Sequence, residues 1–173
     1  MLNVKEKKTT GNLSELYRTD YYTWAMTNAE LLKEGRLDEI DYINLAEEVK
    51  DLGKSEYYRL VSFFANLLSH IYKWDTQPEL RTYSWILTIS NSVKQIVITI
   101  KENPALKSKI DKIFNEAWIE ANNILSKDIK DNNILKSIPN DCPYSFAVVI
   151  KKASDIAPDR IDESDIFFLN NLF

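Results

Sequence analysis

Val93–Ile100 reads VKQIVITI, and whether this stretch is strand or helix decides the fold. Most of its residues are β-branched, which suits a strand. The wider pattern favours helix. Trp85, Ile89, Val93, Ile96 and Ile100 recur at helical spacing and stay on one face for four turns. No partner strand is evident on either side. A helix from about Ser84 to Asn103 is therefore expected, and with it an all-α chain.

The flanking sequence fits. Upstream, RLDEIDYINLAEEVKDLGKSEYYRLVSFFANLLSHIYKW reads as one long helix or two joined ones. Its expected apolar stripe is Val49, Leu52, Leu60, Phe63, Phe64, Leu67, Leu68, Ile71 and Trp74. Gly53 interrupts it, at about 1 kcal/mol relative to Ala, and a kink is possible there. Pro78 marks its end, because proline disfavours helix at the preceding residue. A first helix is expected over Leu13–Glu34, with Leu13, Tyr17, Tyr21, Trp24, Asn28, Leu31 and Leu32 near one face and Gly35 as its C-terminal stop.

Downstream, Asn103-Pro104 is a start signal for the next helix, with Asn at the cap and Pro in the first turn. Leu106, Ile110, Ile113, Ala117, Ala121 and Ile124 carry that helix's stripe. SIPNDCPYS is a loop by its Pro, Asn and Asp content. A short helix from about Ser145 to Ala153 follows. Four amphipathic helices with short connections give an up-down four-helix bundle with a short C-terminal helix and tail. The domain reading is a loose N-terminal tail over residues 1–12 and a bundle over 13–150. A C-terminal extension over 151–173 should pack on the bundle or on a neighbouring subunit.

Bulk properties narrow the function. The chain has 173 residues, enough to bury a sizeable core. Three glycines and five prolines leave little turn material for a many-stranded sandwich or barrel. The net charge of −4, with no dense basic stripe, argues against a general nucleic-acid binder. A single cysteine, Cys142, forms no internal disulfide and fits a reducing cytoplasm. No run of about 18 apolar residues is present, so no membrane span is expected.

Several pieces together carry a family resemblance: LYRTDYYTW, LLKEGRLDEIDYINLAEEVKDLGKSE, LLSHIYKWDTQPELRTYSW, ENPALK and IPNDCPYS. Over roughly residues 13–150 the chain resembles the bacterial family called domain of unknown function number twenty-nine. The combination of GR, NLAEE, LG.SE, H..KW..QP and CPY is what makes the likeness specific. The resemblance implies an all-helical bundle and brings no activity with it.

Two polar clusters are candidate sites. One is His70, Lys73, Trp74, Gln77, Arg81 and Trp85, with Cys142 expected to approach from its loop. His70 falls on or beside the apolar stripe. Neighbouring cations would favour its neutral form, able to serve as base, ligand or donor. Trp74 and Trp85 with Lys73 and Arg81 could hold a flat or anionic ligand. The plainer account is a semi-buried corner whose polar groups satisfy a helix end.

The other cluster is Asn44, Glu47, Glu48, Asp51 and Ser55. Glu48 and Asp51, three apart, could share a hard cation such as Mg²⁺ or Mn²⁺ if Glu116 and Glu120 faced them. A solvated charged face is the plainer account. On a straight helix Glu48 and His70 would lie roughly 33 Å apart, so two separate ends are expected rather than one centre. Asp20 and Trp24, i and i+4, are read as a structural pair or cap.

The leading functional expectation is a non-catalytic protein-interaction or self-associating module, a homodimer or a recruiter of a protein partner, with no cofactor. The alternative is a metal-dependent nucleotide or phosphate hydrolase using those four carboxylates. IFFLNNLF at the C-terminus is too apolar to float freely and should pack on this chain or a neighbour.

Overall fold

The computed structural model describes residues 10–172, and the described residues hold eight α-helices and no strand. The all-α expectation is met. The helices are α1 (Thr10–Thr19), α2 (Tyr21–Lys33), α3 (Tyr42–Thr76), α4 (Tyr83–Glu102), α5 (Ile110–Asp128), α6 (Asn132–Ser137), α7 (Phe146–Ile156) and α8 (Glu163–Asn170). Short 3₁₀ turns, Pro78–Leu80 and Pro104–Lys109, precede α4 and α5. Most of the tail expected over residues 1–12 lies outside the described residues, but α1 already begins at Thr10. The chain divides into two compact units, Met1–Lys54 and Ser55–Phe173. The division falls inside the stretch read from the sequence as one bundle, and within α3.

In the first unit, the single helix expected over Leu13–Glu34 is two. The break is at Asp20, whose backbone leaves helical geometry at φ −150°. Its carboxylate accepts the Thr23 N–H at 3.1 Å and the Thr23 hydroxyl at 2.6 Å. Asp20 is thus the N-cap of α2, satisfying donors that a helix start leaves unpaired. The far end of α2 stops as expected. Gly35 takes φ +71°, its N–H reaches the Leu32 carbonyl, and the Arg36 N–H reaches the Leu31 carbonyl. That is the paired closure of a Schellman motif. Leu13, Trp24 and Leu31 form the small core, with Leu16, Tyr17, Ala25, Ile40 and Leu45 packed against them.

α3 is one uninterrupted helix of 35 residues, helical through Gly53. The expected stripe is buried only in part. Leu60, Phe64, Leu67, Leu68 and Ile71 are fully buried, whereas Val49 is 62% and Leu52 68% exposed. Periodicity identifies a face and not what covers it.

In the second unit VKQIVITI lies in α4, where Ile89, Val93, Ile96, Val97 and Ile100 are buried. Asn103 is the N-cap position of the 3₁₀ turn that leads into α5, with Pro104 in its first turn as read, but its side chain makes no cap bond. Its amide donates back to the Thr99 carbonyl at 3.1 Å and to Glu56 at 3.3 Å, and α5 starts only at Ile110. Ile110, Ile113, Ala117 and Ala121 of α5 are buried as read. Ser145 caps α7 through the Val148 N–H. The C-terminal segment packs on its own chain, with Leu169 fully buried and Ile166, Phe168 and Leu172 against the same core. Phe173 lies outside the described residues.

Candidate functional site

The polar corner of the second unit is built on the last turns of α3. Asn66, His70 and Lys73 succeed one another at i, i+4 and i+7 and share a face. Trp85 enters from the first turn of α4, and Asp128 from the last residue of α5. The buried Lys73 ammonium lies 2.6 Å from the Asp128 carboxylate and 5.3 Å from the Trp85 ring centre. His70 meets the same indole edge-on, with ring centres 6.4 Å apart.

His70 Nδ1 stands 2.9 Å from the Asn66 carbonyl. A carbonyl only accepts, so Nδ1 carries the proton and Nε2 keeps its lone pair. Burial, reinforced by the Lys73 charge, holds the imidazole pKa below its ordinary value, against the opposing pull of the Asn66 bond and Asp128. The ring is therefore neutral near pH 7, chiefly through burial, and of the two cations expected to act on it only Lys73 does.

Arg81 and Trp74 form a separate pair. Arg81 Nε and Nη2 donate to the Trp74 carbonyl at 2.9 and 2.8 Å, and the guanidinium lies 4.7 Å from the Trp74 ring centre. That carbonyl is one of those a helix end leaves without a partner, so Arg81 closes α3. Gln77 is buried directly after the helix. Of the six residues singled out around His70, three converge, namely His70, Lys73 and Trp85.

Cys142 is not part of that convergence. It lines another groove with Phe114 and Trp118, and burial pushes its thiol pKa up, which disfavours the reactive thiolate. The loop does touch the end of α3 two residues later. The Tyr144 hydroxyl donates to Asp75 at 2.7 Å, and Lys152 pairs with the same carboxylate at 3.0 Å.

The acidic candidates have local partners. In the first unit, Glu48 accepts the Tyr17 hydroxyl at 2.7 Å and the Tyr21 hydroxyl at 2.8 Å, one on each oxygen. Asp51 pairs with Lys54 at 2.6 Å, and Glu47 with Lys50 at 3.7 Å. In the second unit, Glu116 accepts from Tyr57 at 3.0 Å and lies 3.6 Å from Lys112. Glu120 accepts from Ser62 at 3.0 Å. Among the described residues, no group of three or more His, Cys, Asp or Glu side chains is placed to hold a metal ion. Glu48 and Asp51 belong to the first unit, and Glu116 and Glu120 to the second.

Sequence reasoning missed Asp41. It is buried immediately before α3 and organises the first unit. Its Oδ2 accepts the Trp24 indole N–H at 3.1 Å, the Asn44 amide at 2.6 Å and the Ser14 hydroxyl at 3.2 Å. Its own N–H donates to Asn28 Oδ1 at 2.8 Å. The indole of Trp24 thus goes to Asp41 and not to Asp20. Burial alone would raise the Asp41 pKa, but the bonds from Asn44, Trp24 and Ser14 outweigh it and leave the pKa lowered.

The family model described as domain of unknown function DUF29 matches residues 16–153. The chain belongs to this family. The DUF29 match contains every candidate residue above and ends inside α7, so α8 lies beyond it. No curated protein and no solved structure matches the chain. No helix among the described residues of this DUF29 chain is long and apolar enough to cross a membrane.

Proposed function

We propose that this DUF29 chain is a non-catalytic protein-interaction module that associates with a second copy of itself or with a partner protein. One observation carries the reading. On α3, Tyr42 and Val49 stand at whole-turn spacings from Leu60, Phe64, Leu67 and Ile71 and so share their face. Those four are fully buried, while Tyr42 is 67% and Val49 62% exposed, with Leu52 beside them. In the first unit Tyr42, Val49 and Leu52 thus leave an apolar patch of α3 open, the usual mark of a recognition surface. The candidate chemical groups support the same reading. Lys73 is committed to Asp128, Arg81 to a helix-end carbonyl, and Glu48 to two tyrosines.

Sedimentation velocity over a wide concentration range tests it, on the native chain and on a Val49→Lys, Leu52→Lys double variant. Concentration-dependent association is expected for the native chain and is expected to be lost in the variant. A native chain that stays monomeric throughout removes self-association from the proposal.

A further inference from the structure

Between the first turns of α5 and residues 140–146 of the second unit lies a groove of about 680 Å³, a volume within the range of small-ligand pockets. Its floor is aromatic. Phe114 and Trp118 are buried there, and Phe114 and Phe146 meet edge to face with ring centres 5.9 Å apart. The walls are fixed by the chain's own bonds. The Trp118 indole N–H donates to the Pro139 carbonyl at 3.2 Å, and Tyr144 is tied to Asp75.

The rim has a different character. Asp111, Asn115, Asn140 and Asp141 line it and are exposed. Asp111 and Asp141 pair with no cation among the described residues. Among the described residues, no Lys, Arg or His lines the groove. An acceptor-rich, uncompensated rim over an aromatic floor matches one side-chain chemistry closely. Guanidinium is flat, carries five N–H donors, stacks on aromatic rings and loses its hydration more readily than ammonium. Ile119, 65% exposed on the lip, offers apolar surface to residues flanking such a side chain.

We propose that this groove is the docking site for an arginine side chain presented by a partner protein, with Asp111 and Asp141 holding the guanidinium and Phe114 and Trp118 receiving its stem. The inference deepens the interaction-module reading and rests on it.

The probe is the blocked tripeptide acetyl-Leu-Arg-Leu-amide, titrated into the full chain while the Trp118 indole N–H resonance is followed by NMR. A saturable shift is expected. Asp111→Asn and Asp141→Asn, both exposed substitutions, should each weaken binding by about fivefold. Citrulline in place of arginine, which keeps the shape and removes the charge, should abolish it. No shift at high peptide concentration overturns the inference. So does agmatine binding as tightly as the tripeptide, since the groove would then be a small-molecule site. A chain that self-associates in the sedimentation experiment yet leaves the peptide unbound overturns the groove assignment alone, and the module reading stands.

Discussion

Lys73 and Asp128 meet at 2.6 Å across 55 residues of sequence, joining the end of α3 to the end of α5. The pair is lopsided. The Lys73 side chain is 6% exposed and that of Asp128 46%. Removing the carboxylate strands a buried ammonium, whereas removing the ammonium leaves a carboxylate that water can reach. Breaking a fully buried pair costs about 3–5 kcal/mol, and solvent at Asp128 reduces that to roughly 1–3 kcal/mol. Asp128→Asn is therefore expected to destabilise the chain by that amount in urea unfolding. Lys73→Met, which keeps the packing and removes the charge, should cost less. The reverse order of the two midpoints would show that the pair does not act in this way.

His70 gives this corner a pH dependence. Its folded pKa lies below the ordinary 6.5, chiefly through burial and then through Lys73. Between the folded value and 6.5 the unfolded chain binds more protons, so stability rises with pH there. The contribution is complete above pH 6.5 and is lost as pH falls through the folded pKa. Unfolding free energies measured from pH 5 to 8 should show this slope in the native chain, and His70→Gln should flatten it. An unchanged slope in the variant would assign the dependence to other groups.

Asp41 is the corresponding hub of the first unit. Asp41→Ala leaves the Trp24 indole N–H and the Asn44 amide without their acceptor. With about 1–3 kcal/mol for a buried donor left unpaired, a loss of roughly 2–3 kcal/mol is expected. Because the Asp41 pKa is lowered, its contribution is present above its ordinary value of 3.8 and lost as pH falls through the folded pKa. Hydrogen exchange of the α2 amides reads the effect directly. Protection in α2 that is unaltered by the substitution would mean that Leu13, Trp24 and Leu31 hold the unit by themselves.

How much of this was legible depended on whether the cause was local. The helical reading of Val93–Ile100 held because the stripe from Ile89 to Ile100 is a property of one segment. Gly35 was readable because a left-handed stop is a local need. Asp20 is readable as a cap for the same reason, since an aspartate three residues before Thr23 is a local N-cap pattern. The grouping of His70 with Lys73 and Trp85 followed from helix spacing and a tight corner. Asp128 as the partner of Lys73, and Asp41 as the acceptor of Trp24, did not, because tertiary packing chooses which distant carboxylate meets a buried donor. The spacing of Glu48 and Asp51 was equally compatible with a cation and with the pairs observed, Tyr17 and Tyr21 for one and Lys54 for the other.

The Glu48 bonds leave a spectroscopic mark. Glu48 holds the Tyr17 hydroxyl proton so firmly that its pKa is pushed up to about 12, first through the hydrogen bond and then through burial and charge. The Tyr21 pKa is raised for the same leading reason. A raised pKa means that the contribution is present below the ordinary value of 10.0 and is lost as pH climbs from there toward 12. Ultraviolet titration of tyrosinate is expected to show late-ionising groups in the native chain. Glu48→Gln should bring Tyr17 and Tyr21 back toward the ordinary value, while Tyr57 and Tyr144, raised by their own burial and carboxylate partners, should still ionise late. A tyrosinate curve identical in the native and variant chains would place the cause at Tyr17 and Tyr21 elsewhere.

The two glycines of the α2–α3 region should respond with opposite signs to the same substitution. A Cβ at either Gly35 or Gly53 would meet nothing within 4 Å, so sterics with neighbours do not separate them. Backbone geometry does. Gly35 sits at φ +71°, where a side chain strains against its own carbonyl, and Gly35→Ala is expected to cost about 1 kcal/mol. Gly53 lies inside α3 and is exposed. There alanine lowers the entropy of the unfolded chain and favours helix, so Gly53→Ala should stabilise by about 0.5–1 kcal/mol. Thermal unfolding of both variants checks the pair. If Gly53→Ala also destabilises, α3 uses the glycine for something other than continuing a helix, and close approach of a partner along the open Val49–Leu52 face becomes the first contact to examine.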